Sequence, residues 1–150
     1  MIDRKSRTEL AELIRHLVAG QLTNNQFEDR LALWSSDPAV WEVFSCGAWC
    51  LYSDLWEYRL TGNYRLPKEA RREVARWILF LKTDLEYEWP RLGRCRSLLL
   101  LLGNVLTIGL LSIAYRKYFR RFGDWDVWPF LRRSDYDLAL KQPPYLTGIL

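Results

Sequence analysis

The sequence predicts a small all-α protein, a bundle of five or six helices around one very apolar helix. Two patterns and one stretch carry that prediction. Leucine, valine and tryptophan recur at the i, i+3, i+4 spacing of a helix over several separate segments. Those segments open or close on capping residues, glycine or proline. The stretch is 97–115, SLLLLLGNVLTIGLLSIAY, which contains no charged residue. A helix that is apolar on all sides has to be buried, in protein or in lipid.

From the N-terminus, Ser6-Arg7-Thr8-Glu9 has the form of a capping box. Leu10, Leu13, Ile14, Leu17 and Val18 follow at helical spacing, and Gly20 stops the helix. Thr23, with Gln26 three residues on, caps a second helix whose apolar face is Phe27, Leu31 and Trp34. Residues 6–34 therefore read as a helical hairpin. Neither arm is long enough to be stable alone, so its apolar face has to dock. Within it, LAELIRHLVAGQLTNNQFEDRL resembles the short helical hairpin known as the SHOCT motif. It is also similar to the N-terminal segment of small actinobacterial domains of unknown function. The shared features are the leucine-spaced first helix, the Ala19-Gly20 break, Leu22-Thr23 at the turn and Phe27-Glu28 opening the second helix. The resemblance implies the company of membrane or oligomerising proteins.

Asp37-Pro38 opens the next helix, with Asp as N-cap and Pro in the first turn. The pattern carries it to about Leu60, before Thr61-Gly62. Val40, Trp41, Val43, Phe44, Trp49, Tyr52 and Trp56 cover more than one stripe, so this helix is expected to be largely buried. Gly47 within it marks a close helix–helix crossing. Residues 68–88 form a fourth helix, with Val74, Trp77, Ile78, Leu81 and Leu85 facing inward. Trp89-Pro90 ends it. Residues 123–130, GDWDVWPF, show no helical stripe and read as an ordered loop or short strand held by its aromatics. Ser134, with Asp137 three residues on, caps a last helix to Lys141. The organisation is an N-terminal hairpin over 1–36 and a helical core over 37–150.

Two physical solutions exist for 97–115. Its length approaches the roughly 20 apolar residues that a membrane span requires, and arginines flank both ends. Gly103-Asn104, Thr107 and Ser112 interrupt it, and a side-chain amide facing lipid needs a partner. The alternative is a core helix wrapped by its neighbours, or two short arms dipping into one leaflet.

No motif identifies a reaction. The formal charge is +4, from 22 Lys+Arg against 18 Asp+Glu, which permits contact with anionic surfaces without demanding it. Cys46, Cys50 and Cys95 make an odd cysteine count, pointing to a reducing compartment. Residues 1–14 have no signal-peptide pattern. His16, the only histidine, cannot seed a histidine-rich zinc site. Cys46 and Cys50 read as small buried apolar residues, with no metal and no cofactor implied. The carboxylate pairs Asp54/Glu57, Glu69/Glu73 and Asp84/Glu88 read as helix-surface ion pairing rather than acid–base machinery.

Arg65, Lys68, Arg71, Arg72 and Arg76 form one basic cluster. Arg116, Lys117, Arg120 and Arg121, with Trp125 and Trp128 beyond them, form the surface expected to touch a partner or lipid. These features point to a non-catalytic helical interaction protein with a protein partner or self-association. It is either a membrane-associated accessory protein of bacterial type or a soluble protein-binding module. The expected location is the cytoplasm, at the inner face of the membrane in the first case. Nucleic-acid binding is the less favoured third reading, because acids interleave the arginines and no recognition motif is present.

Overall fold

The computed structural model describes residues 1–31, 35–90 and 121–141. It is all-α: α1 (Arg4–Val18), α2 (Asn24–Asp29), α3 (Pro38–Cys46), α4 (Lys68–Leu81) and α5 (Arg133–Lys141), with no strand among the described residues. The expected apolar helix over 97–115 lies outside the described residues, and so does Trp34. No helix among the described residues is long and apolar enough to cross a membrane.

α1 starts earlier than the Ser6–Glu9 pattern suggests. Its N-cap is Asp3, whose carboxylate accepts from the Ser6 backbone N–H at 3.1 Å and the Ser6 hydroxyl at 2.7 Å. Ser6 thus completes a cap rather than forming one. The buried stripe is Arg7, Leu10, Ala11, Ile14 and Leu17. The helix ends at Gly20, which sits at φ +69°, where only glycine is free of strain. A Cβ there would also lie 2.2 Å from Thr61 Cγ2. α2 carries the predicted Thr23/Gln26 capping box with both bonds present.

α3 departs most from expectation. Asp37 and Pro38 begin it as predicted, but it stops at Cys46 instead of continuing to residue 60. At Gly47 the backbone turns so tightly that a Cβ would meet the Val43 carbonyl oxygen at 2.6 Å and the Trp77 ring of α4 at 3.2 Å. The close approach foreseen at Gly47 is therefore real, and it ends the helix. A short 3-10 turn, Ala48–Leu51, follows, then an irregular loop. Asn24 fixes that loop. Its buried amide donates to the Ser53 and Trp56 carbonyls, both at 3.0 Å, and accepts from the Tyr58 N–H at 2.9 Å. One side chain so replaces the missing helical bonds of three loop residues.

α4 ends at Leu81, short of the expected residue 88, so Leu85 sits half-exposed in the loop rather than inward. Val74, Trp77 and Leu81 pack with Leu10, Ile14 and Leu17 of α1, Val40 and Val43 of α3 and Phe27 of α2. Leu79 and Phe80 face a second core with Val127, Phe130 and Ala139, where Phe80 meets Phe130 edge to face at 5.1 Å. α4 thus lies between two apolar clusters. The 123–130 segment is an ordered loop with a 3-10 turn at Trp125–Val127 and a cis peptide at Trp128-Pro129. The Trp89 indole donates to the Pro129 and Phe130 carbonyls at 3.1 Å, and Arg76 donates to the Trp128 and Asp126 carbonyls at 2.7 Å. α5 begins at Arg133, so Ser134 lies inside it rather than capping it.

An ion pair that sequence reading did not foresee ties these elements together. Arg7 is 0% exposed and Asp37 1%. Arg7 Nε donates to Asp37 Oδ2 at 2.5 Å and Nη2 to Oδ1 at 3.2 Å, a two-pronged pairing. Nη1 donates to the carbonyls of Thr83 at 3.2 Å and Leu85 at 2.8 Å. The guanidinium carbon lies 5.4 Å from the centre of the Phe80 ring. Asp37 also accepts from the N–H groups of Asp3 at 3.0 Å and Ala39 at 2.9 Å. Burial alone pushes its carboxyl up, but the Arg7 bonds and the two backbone donors outweigh that and hold it below the ordinary 3.8.

Removing one partner strands the other charge, so Arg7→Met is expected to cost about 3–5 kcal/mol in urea unfolding, and Arg7→Met/Asp37→Leu clearly less. A single-variant cost within the range of ordinary surface changes, about 0.5 kcal/mol, contradicts this role. The pair also makes stability pH-dependent. A depressed carboxyl contributes fully above its unfolded value and loses that contribution as pH falls through its folded value. Stability should therefore fall more steeply below the ordinary aspartate value in the wild type than in Asp37→Asn. A residual slope in the variant is expected from Asp3, Glu12 and Asp124, whose carboxyls are also held low.

Candidate interaction site

The described residues contain no group of three or more His, Cys, Asp or Glu that could hold a metal. His16 is exposed on the last turn of α1. Cys46 and Cys50 are exposed, which corrects their reading as buried apolar residues: the early end of α3 at Gly47 leaves them on its rim. Glu69 and Glu73 keep their expected place on the exposed side of α4, but the other two carboxylate pairs lose their helical setting. Asp84 joins Arg4, and Glu57 accepts from the Thr23 hydroxyl at 2.5 Å. Residues 54–57 and 84–88 are outside helices, so the helical spacing that grouped Asp54 with Glu57 and Asp84 with Glu88 is absent.

The basic and aromatic surface expected near the C-terminus is only partly within the described residues. Arg116, Lys117 and Arg120 lie outside them. Arg121 is exposed, and Trp125 is 42% exposed. Trp128 is corrected: it is buried, edge to face with Trp77 at 5.9 Å, and its indole N–H donates to the Tyr87 hydroxyl at 3.2 Å. A side chain committed on ring and N–H alike has little left for an outside partner.

The larger aromatic surface is elsewhere. Trp41, on the outer side of α3, and Trp49 and Trp56, beyond the sharp turn at Gly47, are 54%, 45% and 52% exposed. Trp41 and Trp49 both contact Phe44, at 6.2 and 5.5 Å, and Trp49 reaches Tyr52 at 6.3 Å. A second group of rings is tied to the first through the backbone, where the Tyr58 hydroxyl accepts from the Ser53 N–H at 2.8 Å. Tyr58 then lies 6.4 Å from Trp56 and 4.5 Å from Tyr64. This rim has a buried root, Phe27, with its ring 6.4 Å from Phe44 and 5.8 Å from Tyr52. Carboxylates edge it. Glu42 lies against Cys46, Glu57 holds Thr23, and Glu28 and Asp54 sit close enough to Tyr52 that, after burial, they push its phenol well above the ordinary range. The rim is an apolar, rigidly rooted aromatic surface with an acidic border. Aromatic side chains of this kind dominate the energetics of protein interfaces.

Sequence reading had folded these tryptophans into a buried helix. The signal that could have separated them is Ser53-Asp54 in the middle of the supposed helix, a pair that favours turns. Oxidation of native protein with N-bromosuccinimide, mapped by mass spectrometry, should modify Trp41, Trp49, Trp56 and Trp125 well before Trp77, Trp89 and Trp128. A thiol reagent should label Cys46 and Cys50 without denaturant. Protection of Trp41 and Trp49 in the monomer would remove the rim as an available surface. No family model, curated protein or solved structure matches the chain.

Proposed function

We propose that the protein is a non-catalytic helical interaction module that takes a protein partner on the tryptophan rim formed by α3 and the loop after it. The observation that carries this reading is the exposure of Trp41 and Trp49 on one run of rings and of Trp56 on a second that follows it. Leaving three indoles half in water is unfavourable for an isolated domain, at about 25 cal/mol per Å² of apolar surface. Covering them supplies the apolar centre that stable interfaces have. The border of Glu28, Glu42, Asp54 and Glu57 favours a protein partner over an anionic bilayer, which would repel it.

A second reading, association with a membrane surface, draws on a different feature: the uncharged 97–115 stretch with arginines on both sides. It would place the protein in the cytoplasm against the inner face of the membrane, and the SHOCT-like hairpin is in keeping with that setting. Self-association through the rim belongs to the first reading, with a second copy as the partner.

The test is a Trp41→Ser/Trp49→Ser/Trp56→Ser variant compared with wild type for melting temperature, sedimentation, co-purification from the native source and flotation with phosphatidylglycerol vesicles. Retained folding with loss of a stoichiometric partner, or of a dimer, supports the protein-binding reading. Flotation of wild type and variant alike supports membrane association through another part of the chain. An unchanged partner, an unchanged oligomeric state and no flotation would overturn both.

A further inference from the structure

A second surface shares no lining residue with the tryptophan rim, which it adjoins at Tyr64-Arg65, and it stands or falls separately from it. Between the last turn of α1, the turn at Leu60–Gly62 and the first half of α4 runs a trough of about 500 Å³, with Arg15, Arg65 and Arg71 on its walls and Val18, Val74 and Ile78 in its floor. It meets a second trough of about 700 Å³ towards α5, with which it shares Arg15, Ala75 and Ile78. Arg72, Arg76 and Arg133 line that part, over Leu79 and Leu140. Six arginines therefore border one apolar channel.

Their partners differ. Arg76 is tied to the Trp128 and Asp126 carbonyls, Arg133 to Asp124 at 2.9 Å and Arg15 to Glu12 at 3.0 Å. Arg65, Arg71 and Arg72 are exposed and have no carboxylate within ion-pair distance among the described residues. Arg65 and Arg71 line the first trough, which contains no acid, and Arg72 lines the second, where Asp126 is the one carboxylate in the lining. This arrangement asks for an occupant that is negative along its edges and apolar along its centre.

We infer that this channel receives an acidic amphipathic segment of a protein partner, laid along α4 with its apolar residues on Ala75 and Ile78 and its carboxylates towards Arg65, Arg71 and Arg72. Helix-in-groove recognition has this form, with apolar anchors spaced along one face and charge complementarity at the rim. The shape argues against the other anionic macromolecules. A bilayer is too flat to enter a concave channel. Single-stranded nucleic acid gains much of its affinity by stacking on exposed rings, and the one aromatic residue in the lining, Tyr136, is half-buried against Phe130 at 5.4 Å.

The experiment uses the full chain and a fluorescein-labelled synthetic peptide in which paired leucines and paired glutamates alternate at helical spacing, followed by anisotropy. Its lysine-for-glutamate counterpart, an oligouridylate and phosphatidylglycerol vesicles serve as competitors. The acidic peptide should bind in a salt-sensitive manner and the lysine peptide should not. Arg65→Ser/Arg71→Ser should weaken binding at least ~10-fold, and Ala75→Trp, which fills the channel from an exposed position, should do the same. The tryptophan-rim variant should bind the peptide as wild type does. No binding of the acidic peptide, binding indifferent to both channel variants, or tighter binding of the oligouridylate or the vesicles would each overturn the assignment. Peptide binding lost in the rim variant instead would move the site to the rim.

Discussion

The Arg7–Asp37 pair is the constraint on which the arrangement of the described helices depends. It joins the first turn of α1, the N-cap of α3 and the chain leaving α4, three points far apart in sequence. A buried ion pair is weak ground for claiming net stability, because desolvating both charges offsets much of their attraction. Its effect here is better described as selection. A guanidinium with no access to water has to keep its donors filled, and its acceptors come from two separate elements. Any packing of α3 or of residues 83–85 that moved those acceptors would leave a charge unsatisfied in an apolar setting. Apolar contacts alone would tolerate small slippage; this cluster of directional bonds does not.

Around that point the fold follows from how α4 is shared. One side of α4 supplies Val74, Trp77 and Leu81 to the core with α1 and α3, and another supplies Leu79 and Phe80 to the cluster with the 123–130 loop and α5. The second half of α4 fills both cores, and its first half stays in solvent with Arg71 and Arg72 beside Lys68, Glu69 and Glu73. The same logic sorts the tryptophans. Trp77, Trp89 and Trp128 fall where α4 meets the C-terminal loop, and they are buried. Trp41 lies on the outer side of α3, and Trp49 and Trp56 fall beyond Gly47, where the chain has left the helix. Identical side chains serve opposite purposes because some face a neighbouring element and the others do not.

Much of this was legible in the sequence, and the parts that were not share a cause. The all-α class, the Thr23/Gln26 capping box, the stop at Gly20, the Asp37-Pro38 start and the ordered aromatic loop over 123–130 all rest on local chemistry, which sequence patterns report directly. The overextended helices at 47–60 and 82–88 came from apolar periodicity running past the point where tertiary contacts end the helix. Gly47 is held against Trp77, and the chain after Leu81 bends to give its carbonyls to Arg7. Neither contact is visible one segment at a time. Arg7 was hidden for a related reason: as one letter inside a capping-box pattern, it gave no sign that it points inward on the stripe of Leu10, Ile14 and Leu17. The exposure of Cys46 and Cys50 followed from the same misplaced helix end. The basic cluster around α4 was visible as composition, while its concavity depends on α1, α5 and the Leu60–Gly62 turn, which only folding brings alongside.

Asn24 has a kinetic meaning beyond its bonds. By gripping the backbone at Ser53, Trp56 and Tyr58 from α2, it gives a loop without regular structure a defined shape before anything approaches it. A surface that is already set loses little freedom when it is covered, so encounters need not wait for the loop to find its form. One amide thereby makes an irregular stretch of chain behave, towards a visitor, as a template.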